Sequence, residues 1–320
     1  MPFKKILIIR FSSIGDVVLT TPIIRCIKKQ LNAEIHFLIK PEFAHIVTNN
    51  SNVDKVHRLH KSITESISIM QEEKFDLVID LQKNLNSYRI KNGLKCASVT
   101  FDKLNLQKWL LVNLKINKLP EKHLVDRYFD ALQPIGVIDD GMGLDYFILP
   151  EDEYDAIGLV EGVKYDILVL GANYFTKRIP VSKCEEIISL STGHTVLLGG
   201  EDVSNIANQL STKYPQKTIN LCGKVGLGVS AGIIKHARKV ITGDTGLMHI
   251  AAALQKEIYL LWGNTTPLFG MYPYYGFKNP SNYRNYEVLN LPCRPCSKLG
   301  YDHCPKGHFR CMLDIDVSSI

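Results

Sequence analysis

Short apolar runs alternate with longer stretches of helical spacing along the whole chain. "KILIIR" sets four branched apolar residues in a row, and "DVVLTTPIIRCIKKQL" after it spaces its apolar residues three and four apart. "EIHFLI" and "FDLVIDL" follow as further strands in the first half. The second half repeats the style with "YDILVLGA", "HTVLLGG", "KTINLCG", "KVITGD" and "EIYLLWG", and helical patterns such as "VSKCEEIISL" lie between. Uninterrupted apolar strands that alternate with helices predict parallel βαβ units, buried on both faces. Two such sets predict two doubly wound α/β domains. The stretch from Gln133 to Glu161 holds Pro134, Gly136, Gly141, Gly143 and Pro150 with little apolar period, so the join is expected there. Domains of 1–150 and 151–320 result, the second ending in a cysteine-rich tail. In open parallel sheets ligands sit at the carboxyl ends of the strands, and the cleft between two such domains is the expected site.

The 320 residues suffice for two cores, and 45% apolar with 22% charged content is ordinary for a globular chain. No run approaches the roughly 18 apolar residues of a spanning helix. The opening "MPFKKILIIRFSSIGD" reads as a first strand and not a leader, so a cytoplasmic protein is expected. The net charge of +6 is unevenly placed. Ten Lys/Arg face three acids between Lys83 and Arg127, a surplus larger than that of the whole chain. Trp109, Leu110, Leu111, Val112 and Leu114 interleave with those cations. Basic and apolar together point to an anionic lipid or its headgroup. The block offers no aromatic stacking platform of the kind single strands use, so a nucleic-acid partner is not expected.

Candidate chemistry lies at predicted strand ends. Asp16 follows the first strand in "RFSSIGD", beside Ser12, Ser13 and Gly15. Its spacing fits an ordinary helix N-cap, and its place at the carboxyl end of the first strand adds the reading of a carboxylate aimed at a ligand. Lys177 and Arg178 in "GANYFTKRIP" stand before a helix, where two cations make a phosphate site; taken alone they are as readily an exposed basic pair. Glu201 in "LLGGED" could accept from a ribose hydroxyl or simply complement a helix dipole. In "ITGDTGLMHIAAAL", Asp244 closes a strand. Thr245, Gly246 and Leu247 then offer first-turn amides, and His249 is expected near the exposed end of that turn, within reach of a phosphate; an N-cap Asp and a buried His fit the same pattern as well. Gly246 lets a ligand approach the backbone. No P-loop pattern occurs, and "GKVGLGVSAG" misses the dinucleotide fingerprint by one residue in its last gap. Four of the eight cysteines, Cys293, Cys296, Cys304 and Cys311, crowd into "CRPCSKLGYDHCPKGHFRC" with His303 and His308. They could hold zinc or be buried thiols without a metal.

Taken in order and spacing, "ILIIRFSSIGDVVLTTP", "DLQKNL", "HLVDRY", "GANYFTKRIP", "LLGGED", "GDTGLMHIAAAL", "CRPC" and "CPKGHFRCM" resemble the ADP-heptose lipopolysaccharide heptosyltransferases, glycosyltransferase family 9. The resemblance spans nearly the whole chain. It implies a GT-B fold of two Rossmann-like domains facing a cleft, the acceptor on the first and the nucleotide sugar on the second. It also implies inverting, metal-independent transfer of heptose from ADP-heptose to a Kdo-containing lipid A-type acceptor, with no further cofactor. Asp16 matches the family's base. Lys177, Glu201, Asp244, Thr245, Gly246, Leu247 and His249 match donor-binding positions. Ser12, Ser13, Lys83 and Arg127 are the acceptor-side candidates. Such an enzyme would work at the cytoplasmic face of the inner membrane as a peripheral protein. The chain departs from the family around Gly226 and Val229, and its end, "DIDVSSI", looks short of the family's last helix. Rival readings are a nucleotide-sugar epimerase of the same fold and a glycosyltransferase using another nucleotide sugar.

Overall fold

A computed structural model describes residues 3–277 and 282–320. The chain forms two compact units. The first holds the described residues up to Lys103, then 122–147, then Gly276 and Phe277. The second holds 104–121, 148–275 and the described residues from Asn282 on. Residues 104–121 thus cluster with the second unit, although they lie within the first half of the sequence.

The first unit contains strands β1 (Lys5–Ile9), β2 (Glu34–Ile39), β3 (Lys55–Arg58), β4 (Leu77–Asp80) and β5 (Ala97–Thr100). All neighbours are parallel, in the order β3-β2-β1-β4-β5. Ile6 to Ile9 on the central strand are fully buried, as an unbroken apolar run at the middle of a covered sheet requires. The second unit contains β6 (Tyr165–Val169), β7 (His194–Leu198), β8 (Thr218–Asn220), β9 (Lys239–Gly243), β10 (Glu257–Trp262) and β11 (Tyr283–Glu287). Their order is β11-β10-β9-β6-β7-β8, again all parallel. Each sheet therefore reverses its strand order once, between β1 and β4 and between β6 and β9. At such a point the two loops leaving adjacent strands diverge and open a crevice.

Two buried polar clusters hold the first unit. The Arg25 guanidinium binds Asp140 at 2.7 and 2.9 Å, the Gly143 carbonyl at 2.9 Å, and Asp145. It ties the glycine-rich segment after residue 134 back to the helix Thr21–Leu31. On β2, fully buried His36 sets Nδ1 2.8 Å from Nε2 of His57 on β3, and its Nε2 lies 2.6 Å from Glu34. Glu73 accepts from Lys55 at 2.5 Å and Lys5 at 3.3 Å beside them.

Burial, helped by neighbouring His36, pushes His57 down to about 4, and the Lys55 and Lys5 donors hold Glu73 down at about 2. Between pH 6.5 and 4 the unfolded chain takes up a proton on His57 that the folded chain refuses. Stability is therefore present in full above 6.5 and falls as pH drops through that window, with Glu73 extending the loss below 4.5. Melting curves from pH 8 to 4 should show the decline, and His57→Gln should flatten it between 6.5 and 4.5. Parallel curves for parent and variant would remove His57 from this role.

Candidate functional site

At the carboxyl edge of the first sheet, β1 runs out through Arg10 into a five-residue helix, Ile14–Val18. Ser13 is the N-cap of that helix, and Asp16 is its third residue, not its cap as expected. Asp16 instead reaches back: one carboxylate oxygen accepts from Ser13 Oγ at 2.9 Å and Ser13 N at 3.3 Å. The other oxygen meets the Arg10 guanidinium at 2.5 Å. Arg10 is buried and also donates to the carbonyls of Ser12 and Leu81 and to the Tyr128 hydroxyl at 3.3 Å. Burial alone would raise the proton affinity of Asp16. The Arg10 charge and the Ser13 donors outweigh it and hold the carboxyl below the usual range. The group is thus ionised, 22% exposed, and fixed in orientation. Asp80, at the end of neighbouring β4, shapes the next loop by accepting from the amides of Gln82 and Lys83 and from the Ser87 hydroxyl.

Lys83 is exposed and pairs with Asp102 at 3.2 Å. Arg127, expected on a basic surface, is buried instead, and burial lowers its proton affinity. The cause is the apolar face of its helix, Leu124–Leu132, which buries most of its residues. The basic block is therefore less of a free surface than its charge count suggests.

The second unit gathers its charges at its own reversal point. Lys177, after β6, places Nζ 2.7 Å from the Asp244 carboxylate, after β9. That carboxylate also accepts from Thr265 Oγ1, after β10, at 3.0 Å. Thr245 caps the helix Gly246–Ala253, its hydroxyl accepting from Met248 N at 3.3 Å. The amides of Gly246 and Leu247 belong to the first turn, where an α-helix has no internal acceptors to give them. An open helix mouth beside a lysine can seat an anion. His249 is 2% exposed, so it lies inside the fold and not at the exposed end of the turn. Arg178, the second half of the basic pair, is engaged elsewhere, with Asp202 at 2.5 Å. Glu201 stands exposed on the 3-10 turn that follows β7.

Arg294, inside the cysteine-rich loop, escaped the sequence reading. Its buried guanidinium donates to the carbonyls of Gly263, Thr265 and Val288 and pairs with Glu287 at 2.7 Å. It thereby holds the segment that presents Thr265 to Asp244. Cys296 N donates to the Asn264 carbonyl at 3.2 Å, which fastens the same segment again. Burial pushes the Cys311 thiol up to about 12 and raises Cys296, with the other thiols of the set contributing. Cys293 Sγ lies 3.8 Å from His308 Nε2. Among the described residues, the ligand atoms close enough to share an ion are those of His36, His57 and Glu73 and of Cys26, Asp139 and Asp140, not those of the four clustered thiols.

The sequence model of glycosyltransferase family 9 (heptosyltransferase) matches residues 64–298. Lipopolysaccharide heptosyltransferase 1 of Campylobacter coli is 24% identical over 290 residues, covering 82% of this chain and 84% of that protein. Lipooligosaccharide heptosyltransferase 2 of Haemophilus ducreyi is 25% identical, covering 97% and 95%. The E. coli heptosyltransferase WaaC, solved with ADP-2-deoxy-2-fluoro heptose, aligns with a TM-score of 0.66 at 21% identity, over 92% of this chain and 96% of that one.

Removing Arg294 should release the Thr265 segment and leave Glu287 without its partner. Arg294→Met is expected to destabilise the second unit by about 3–5 kcal/mol, the range for breaking a buried pair from one side. Denaturant unfolding measures this. A loss under about 1 kcal/mol would mean that the segment is held by other contacts.

Proposed function

The chain belongs to glycosyltransferase family 9, the heptosyltransferases, and from that premise we propose that it transfers heptose from ADP-heptose to an anionic, Kdo-containing lipid acceptor with inversion. The placement of charge carries this reading. In each unit the charged groups gather where the strand order reverses: Asp16 with Arg10 in the first, Lys177 with Asp244 beside a helix mouth in the second.

In the proposed reaction the acceptor hydroxyl attacks the anomeric carbon from the face opposite ADP. Asp16 takes the hydroxyl proton as the new bond forms. The bond to the diphosphate oxygen breaks, and negative charge grows on the leaving ADP. Lys177 and the Gly246 and Leu247 amides meet that charge, so no step needs a metal. Asp244 holds Lys177 in place, and its own charge is offset by that lysine and by Thr265. Glu201 is exposed after β7, where a ribose hydroxyl could donate to it. Thr245 sets the helix mouth, and His249 supports it from within. Ser12, Ser13 and Lys83 border Asp16 in sequence or on the same sheet edge and take the acceptor side; Arg127, being buried, is assigned to holding that edge. No helix among the described residues is long and apolar enough to cross a membrane. On the proposed reading the lipid acceptor is met at the cytoplasmic face of the inner membrane, by peripheral contact.

Asp16→Asn should bind ADP like the parent and turn over about two to four orders of magnitude more slowly, the range for a lost general base. The check is transfer of labelled heptose with the acceptor glycolipid, beside ADP titration. Near-parental turnover would remove Asp16 from the base role. Release of free sugar without an acceptor would favour the epimerase reading.

Lys177→Ala should weaken ADP binding about tenfold or more and adenosine binding little, because a charge-assisted bond to phosphate is lost. Calorimetric titration of both ligands separates the cases. An equal loss for both would mean that Lys177 does not touch phosphate.

A further inference from the structure

The helix Asn105–Leu114 is mostly apolar, yet Leu111 is its one buried residue. Leu106, Trp109 and Leu114 are 67%, 53% and 53% exposed, and Ile116 just beyond is 46% exposed. Leu106, Trp109 and Asn113 follow the three-and-four spacing of one helix face, and that face lies opposite Leu111. The contrast with the other tryptophan is sharp. Trp262 is 1% exposed and gives its indole N–H to Asn285 at 2.8 Å. Large apolar side chains grouped in water mark a surface that meets something apolar.

The charge along this stretch is mainly positive: Lys103, Lys108, Lys115 and Lys118 lie between Asp102 and Glu121, with no acid among them. Lys115 donates to the carbonyls of Val112 at 2.9 Å, Cys293 at 3.3 Å and Pro295 at 2.7 Å. Three carbonyls take up the three N–H donors of its ammonium, so the lysine anchors the helix end. Lys118 is exposed beyond it.

We propose that the helix Asn105–Leu114 lies in the headgroup layer of an anionic bilayer, with Leu106 and Trp109 among the acyl chains and Lys118 on lipid phosphates. Two features favour a lipid surface over a folded partner. Lys108, Lys115 and Lys118 have no acid between them that a protein partner's basic groups could meet. Trp109 is exposed on the same helix face as Leu106, and tryptophan is a side chain that the membrane interface favours. The proposal deepens the reading of a membrane-borne acceptor and rests on it for its purpose, while the binding itself can be read without any acceptor.

The test uses the full chain and vesicles free of glycolipid, either phosphatidylglycerol mixed with phosphatidylethanolamine or phosphatidylcholine alone. The parent should float with the anionic vesicles and not with the zwitterionic ones, and its tryptophan emission should shift to the blue. Leu106→Ser with Trp109→Ser should cut anionic partitioning at least about tenfold, and Lys118→Glu should cut it less. Both variants should melt like the parent, since the altered side chains are exposed. With a water-soluble acceptor sugar the double variant should transfer at the parental rate, and with acceptor in vesicles it should slow. Unchanged flotation of the double variant overturns the proposal. So does an equal loss of activity on the soluble sugar, or a parent dimer that the double variant converts to monomer. Absence of transfer from every parent assay, with flotation still dependent on the helix, would defeat the proposed function and leave this inference standing.

Discussion

A parallel sheet sends the carboxyl end of every strand to the same edge, and the rest of this molecule follows from that constraint. Peptide units and connecting loops converge there, and helices begin there with amides unspent. Where the strand order reverses, the loops part and leave room. In the first unit the loops after β1 and β4 border the reversal, and they bring Arg10, Asp16 and Asp80 together. In the second unit the loops after β6 and β9 bring Lys177 and Asp244 within 2.7 Å. Arg10 and Asp16 share one loop, but Asp80, and Lys177 with Asp244, stand far apart in sequence from the groups they join, and the topology makes them neighbours.

The two edges solve one electrostatic problem in opposite senses. Partly buried charges need partners, because desolvation otherwise neutralises them. In the first unit a buried guanidinium holds a carboxylate ionised. In the second a carboxylate holds an ammonium, and the nearby helix mouth adds positive potential for an incoming anion. Each pair also fixes direction. Arg10 is clamped by carbonyls on two loops, and Asp244 is clamped by Thr265, itself held by Arg294. Each ion pair is therefore also held by hydrogen bonds to neutral carbonyl and hydroxyl groups.

Most of the strands were legible in the sequence, because a buried parallel strand writes itself as an apolar run, and Asp16, Lys177 and Asp244 could be picked from the ends of such runs. What failed to show was decided by side-chain direction and distant contact. Ser13, not Asp16, caps the first helix, since the chain enters the helix one turn earlier than the acid suggests. Arg127 and His249 sit on the inward faces of their helices, a matter of rotation that one polar residue in an apolar stretch does not announce. Arg294 looked like part of a possible metal loop, but its acceptors lie between Gly263 and Val288. Nothing near it in sequence names them. The cations and apolar residues of the helix Asn105–Leu114 suggested a surface, but which side of the helix faces outward is known only from the exposure of Leu106 and Trp109.

A base held by an arginine raises a physical objection, since Arg10 lowers the very proton affinity that a base needs. The answer lies in what Asp16 would do without it. Burial favours the neutral acid, and a carboxyl already protonated near neutral pH accepts nothing. Arg10 keeps the group ionised at the cost of some basicity. In the proposed role the proton arrives late, as the new glycosidic bond takes shape and the acceptor oxygen becomes strongly acidic. A modest base suffices at that moment. When Asp16 becomes neutral, Arg10 loses its counter-charge but keeps the Ser12 and Leu81 carbonyls and the Tyr128 hydroxyl. The guanidinium can stay where it is, and the site needs no rearrangement of its buried charge while the bond is made.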